Sequence, residues 1–102
     1  VAFQVLLVTQ DADVVAPENL AVITLKRILS KERPILLVSH DEDGDWQFLD
    51  GQDASEEDAA VVSLRRVTML HPAIFELADL PRGWRATRRS PDGLWIRSMR
   101  GH

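Results

Sequence analysis

The chain of 102 residues contains no cysteine and no tyrosine. Without cysteine there are no disulfides, no thiol catalysis and no Cys-based zinc sites. The composition fits a reducing, cytoplasmic setting. The aromatic content is limited to three Trp and three Phe. No long hydrophobic run occurs. The apolar start Val1–Val8 is interrupted by Gln4, lacks a basic leader, and is far short of the ~20 residues a spanning helix needs. No membrane partner is expected. The first residue is not Met; a processed start and a longer parent chain both fit.

Basic residues are missing from one stretch altogether. Asp41 to Asp58 holds nine acids and no base, whereas Arg82 to Arg100 holds six Arg and the single acid Asp92. The net charge is −4. Overall acidity argues against a dedicated nucleic-acid binder, whose domain charge is usually basic. Gly-rich phosphate loops and the G-x-S-x-G and H-E-x-x-H patterns are also absent, so no catalytic set or cofactor is indicated.

What remains is a pattern of short strands and helices. Val1–Val8 alternates apolar residues and reads as a strand, followed by a loop to Asn19. Ala21–Thr24 predicts a strand, with Thr24 capping a short helix from Leu25 to about Ser30. Ile35–Ser39 suits a buried strand after Pro34. Asp43-Gly44 is a strong turn signal, and Trp46–Leu49 returns as the partner strand. Gln52–Asp58 is too polar to bury. Ala60–Val62 reads as a strand. Ser63 caps a helix over Leu64–Leu70, and a second helix runs from Pro72 to Ala78, with Ile74, Phe75 and Ala78 toward the core. Trp84–Arg89 and Leu94–Met99 form a hairpin around Ser90–Gly93. The expected class is α+β, a single domain over 1–102: a mainly antiparallel sheet with hairpins, covered on one face by two or three short helices.

Several side chains are candidates for chemistry. Asp41, Asp43 and Asp45 alternate like the start of a calcium loop, but Gly44 precedes the third acid and position 52 is Gln, so a structural turn is the better reading. His40 beside these acids is the one candidate for minor acid–base catalysis; the neighbouring Ser39 points to the opposite face of a strand. His71 at a helix junction reads as a capping or packing residue, and three scattered histidines form no metal set. The acids Asp41, Asp43, Asp45, Asp50, Asp53, Glu56, Glu57 and Asp58, with Trp95 and Arg97, are the candidate protein-binding surface. Arg85, Arg88, Arg89 and Arg97 are the candidate site of an alternative reading, anion or nucleic-acid binding through the C-terminal Arg/Trp hairpin.

The motifs Val38-Ser-His40, Gly44-Asp-Trp-Gln-Phe-Leu-Asp-Gly51, Leu70–Leu77, Leu80-Pro-Arg-Gly-Trp84 and Gly93-Leu-Trp95 carry a family resemblance. This part of the chain resembles a family of small bacterial domains of unknown function, grouped with immunity proteins of polymorphic-toxin systems. The resemblance implies a small α+β domain that binds a protein, a toxin among the partners to expect. It supplies no active site. Val1–Asn19 lies outside it and is a candidate extra strand or homodimer edge.

Overall fold

The computed structural model describes residues 20–99. The strand and loop expected before Leu20, the dimer edge proposed there, Arg100 and His102 lie outside them.

The described residues form a six-stranded sheet in the order β4-β1-β3-β2-β5-β6. The strands are β1 (Ala21–Leu25), β2 (Leu37–His40), β3 (Trp46–Leu49), β4 (Ala59–Ser63), β5 (Trp84–Thr87) and β6 (Ile96–Met99). Helices α1 (Lys26–Leu29) and α2 (Leu64–Leu70) and the 3-10 helix Pro72–Leu77 supply the covering layer. The α+β class and the mainly antiparallel sheet follow the sequence pattern. One pair departs from it: β1 runs parallel to β3, with Ile23 opposite Gln47. The chain leaves β1 through α1, lays down β2 one position further out, and turns back so that β3 fills the gap.

The β2–β3 hairpin turns where Asp-Gly predicted. Gly44 N–H donates to the Asp41 carbonyl at 3.0 Å, and Asp41 Oδ1 accepts from the amides of Asp43 and Asp45 at 3.0 and 2.9 Å. Gly44 has φ +94°, and a Cβ there would stand 2.8 Å from Arg82 Nη2. The Arg82 tip can move, so the backbone sets the cost. Gly44→Ala is expected to lower stability by about 1–2 kcal/mol in urea unfolding; a loss under about 0.5 kcal/mol contradicts this account of the turn.

Two local expectations need correction. Thr24 does not cap α1. The strand continues through Leu25, which is itself the N-cap; Thr24 is therefore still extended, fully buried, and donates to the Phe48 carbonyl at 2.7 Å. That bond ties the parallel pair together. Phe75 is exposed rather than in the core; Leu77 is the buried residue beside Ile74. The segment is 3-10, with three residues per turn, so 74 and 77 share a face where an α-helical period would favour 74, 75 and 78. Ser63 caps α2 as expected, its hydroxyl accepting from Arg66 N–H.

Register assigns the two faces of the sheet. Val22, Val38, Phe48 and Ala86 face the helices and join Ile28, Leu64, Val67, Ile74, Leu77 and Leu80 in one buried cluster. The alternate residues Val61, Ile23, Gln47, Ser39, Arg85 and Ser98 line up across the other face, since they are register partners from β4 to β6. Helices α1 and α2 and the 3-10 helix Pro72–Leu77 lie on the first face. Among the described residues no helix is long and apolar enough to cross a membrane.

Candidate partner-binding surface

The acids read together from the sequence separate in the structure. Asp41, Asp43 and Asp45 sit in the β2–β3 turn at one end of β3. Asp50, Asp53, Glu56, Glu57 and Asp58 follow its other end, about 13 Å away along four residues of strand. The molecule thus has an acidic patch at each end of the sheet.

Asp50 belongs to neither patch. It is fully buried and clamped by Arg27, whose Nε and Nη2 reach its two carboxylate oxygens at 2.6 and 3.1 Å. Arg33 Nε adds a bond at 3.3 Å and the Gln52 amide another at 3.0 Å. The Arg27 hydrogen bond, with help from Gln52 and Arg33, holds the Asp50 carboxyl down at about 2 despite burial. Arg27 also donates to the Asp53 carbonyl at 3.0 Å and lies 3.9 Å from Asp58. Sequence reading missed Arg27 and Arg33 as partners because they lie 23 and 17 residues before Asp50. The remaining acids of this end, Asp53, Glu56 and Glu57, are exposed. Asp58 closes a capping box with Ser55, whose amide and hydroxyl hold its carboxyl below the usual range.

At the other end, the carboxylates of Asp41, Asp43 and Asp45 come within 4.8 Å of one another. The strand does not continue through them; the tight turn, closed on Asp41, brings the three together. Asp41 Oδ1 is already engaged by two amides, so the group works first as a turn cap and second as a concentrated negative field.

The other candidates are held in place by packing. His40 stacks on Trp46 with ring centroids 3.8 Å apart, and its Nδ1 donates to the Leu80 carbonyl at 2.7 Å. Its imidazole joins the β2–β3 hairpin to the segment after the 3-10 helix. Ser39 lies on the opposite face, opposite Gln47 and Arg85, so the two do not form a nucleophile–base pair. His71 Nε2 donates to the Ile28 carbonyl at 2.9 Å, joining α2 to α1.

Trp95 and the arginines do not form a single site either. Trp95 is half-buried against the core, with the Arg88 guanidinium 4.3 Å from its ring centroid. Arg97 is on the helix-covered face, bonded to Asp79 at 2.9 Å and to the Glu76 carbonyl at 2.9 Å. Arg85 is exposed on the open face, and Arg89 is exposed beyond the end of β5. These arginines cluster in the sequence, but the hairpin sends their side chains in different directions.

The open face adds residues the sequence reading did not single out. Val61 on edge strand β4 is 70% exposed and Ile96 on edge strand β6 is 63% exposed. Ile23, Leu37 and Leu49 lie between them, half-buried. The alternation of β1 and β4 was the available signal, but which face the helices would leave open depended on their packing. Comparison with protein-family models, with curated proteins and with solved structures finds no match.

Proposed function

We propose that this chain is a non-catalytic protein-binding module of the immunity type, acting in the cytoplasm on a basic partner protein. The observation that carries this reading is the open sheet face. Its apolar side chains are Val61, Ile23, Leu49 and Leu37 on four adjacent strands and Ile96 on the far edge, with Arg85 and Thr87 of β5 between Leu37 and Ile96. Its two ends carry the exposed carboxylates. An exposed face that mixes apolar side chains with an arginine and is rimmed by charge favours a protein ligand. The carboxylates at both ends would speed encounter with a cationic protein and select against acidic ones. The motif resemblance to immunity-related domains points the same way.

Co-expression with the products of adjacent genes tests the proposal. A neighbouring product that arrests growth alone is expected to be neutralised and to co-purify with this chain. Val61→Asp and Ile96→Asp are each expected to weaken the complex at least tenfold. Both positions are exposed, so the thermal midpoint of the free protein should hold. Raising salt should slow association and leave dissociation nearly unchanged. If no neighbouring product binds and none is toxic when expressed alone, the immunity reading fails.

A further inference from the structure

On the helix-covered side, the connection from α1 to β2 and the junction of α2 with the 3-10 helix enclose a cleft of about 370 Å³. Four basic side chains line it, Lys31, Arg33, His71 and Arg88, and no carboxylate does. The rest of its wall is apolar, chiefly Pro34, Pro72 and Pro91. In a chain of net charge −4, such a concentration of positive charge at one concave site is notable for its position. It brings together residues from three separate stretches of sequence.

Three of these side chains are held by hydrogen bonds before any ligand arrives. Arg88 donates through Nε to the Ile35 carbonyl at 3.0 Å and through Nη1 to the Pro91 carbonyl at 2.8 Å, with its plane over Trp95. It has no carboxylate bonded to it among the described residues, and burial lowers its pKa. The charges of Glu76 and Asp92 act on it only from a distance. Arg33 is anchored by Nε to Asp50, which leaves the far end of its guanidinium for another acceptor. His71 is fixed by Nε2 on Ile28, leaving Nδ1 available.

Lys31 is the most informative member. Helix α1 ends in a Schellman motif, with Lys31 N–H donating to the Ile28 carbonyl and Glu32 N–H to the Arg27 carbonyl, both at 3.0 Å. The left-handed position of that motif normally takes glycine. Here it is Lys31, at φ 68°, which costs roughly 1 kcal/mol. The residue that fold stability alone would favour is replaced by a lysine that lines the cleft.

We propose that this cleft binds a small organic phosphate, with the phosphoryl group among Lys31, Arg33 and Arg88 and the organic body against the proline walls. A tetrahedral dianion presents oxygens in several directions and so can meet three cations from two separate segments. A single planar carboxylate meets one guanidinium in a fork and leaves the others unmatched. The apolar wall gives no reason to select inorganic phosphate alone. This site lies on the helix side and is independent of the proposed protein-binding face.

The test is an amide NMR titration of the full chain with phenyl phosphate, inorganic phosphate and succinate, at ionic strength held constant with sodium chloride. Phenyl phosphate is expected to bind saturably, with Kd below about 1 mM. It should shift the amides of residues 31, 33, 71 and 88 and the indole N–H of Trp95. It should bind at least threefold tighter than either of the other probes. Lys31→Gly should weaken binding at least threefold while the thermal midpoint stays level or rises, because glycine relieves the backbone. Arg65→Gln, the same loss of charge on the exposed face of α2, should leave affinity within twofold. Shifts no larger than those from chloride, equal binding of succinate and phenyl phosphate, or unchanged affinity in Lys31→Gly would each overturn the proposal.

Discussion

Replacing Phe48 with alanine is expected to remove about 3–5 kcal/mol of folding free energy. Phe48 is fully buried on β3, which has β1 on one side and β2 on the other. Its ring lies parallel to Trp46 at a centroid distance of 6.0 Å, and its carbonyl accepts the Thr24 hydroxyl. Truncation would open a cavity in the centre of the sheet. The flanking strands are fixed by their ladders and cannot collapse into it, so the lost burial is joined by the cost of the void. A small domain has only about 5–15 kcal/mol in total, so the variant should be near its unfolding transition at physiological temperature. Urea unfolding measures the effect. Val61→Ala, on the open face, should stay within about 0.5 kcal/mol of the parent. A Phe48→Ala loss under about 1.5 kcal/mol would mean that β3 is not the centre of the core.

Asp50→Ala is expected to cost about 2–4 kcal/mol at neutral pH, the lower part of the range being favoured because Arg27 and Arg33 keep some access to water. The substitution leaves two guanidinium groups facing a buried gap and removes the acceptor of the Gln52 amide. The effect should also depend on pH, with a sign set by the direction of the shift. The Asp50 carboxyl is held at about 2 in the folded protein against an ordinary value of 3.8. The folded state therefore favours the ionised form. Its contribution is fully present above about pH 4 and is lost as pH falls toward 2, amounting to about 2 kcal/mol. Asp58 and Asp79 are also held low by their hydrogen bonds, so the variant should keep a smaller acid-side loss of the same sign. Urea midpoints at pH 7, 4, 3 and 2 should show parent and variant converging as pH falls. A difference that is the same at pH 2 as at pH 7 would show that Asp50 is not stabilising as a carboxylate.

These two neighbours show how unevenly the sequence can be read. Phe48 was legible because a β-strand alternates faces, and Trp46, Phe48 and the Asp-Gly turn make a hairpin with one apolar side. Asp50 was not legible. In sequence it is one of a run of acids, indistinguishable from Asp53 or Glu56. Its burial depends on Arg27 at the start of α1 being brought over it by the parallel pairing of β1 and β3. Thr24 and Phe75 were misjudged for related reasons: a strand one residue longer than expected, and a 3-10 rather than an α-helical period. The protein-binding candidates divide similarly. The exposed acids were evident from composition, while Val61 and Ile96 emerged only when the strand order assigned them to edges of one face. The basic cleft could not have been found from spacing, because Lys31, Arg33, His71 and Arg88 are brought together by two chain junctions and a hairpin.

By itself the sequence determined the local choices: the absence of thiol chemistry, the Asp43-Gly44 turn, the Ser63 cap, the Pro72 break, and the alternating apolar positions that imply an α+β domain with an antiparallel sheet. Each of these rests on forces acting within a few residues, such as allowed backbone angles, capping hydrogen bonds and side-chain period. Only the tertiary structure decided the insertion of β3 between β1 and β2, the burial of Asp50, the separation of the acids to two ends, the dispersal of the arginines and the convergence of Lys31, Arg33, His71 and Arg88 on one cleft. These depend on which distant segments exclude water from each other, and a charged or apolar residue carries no local mark of the partner it will meet.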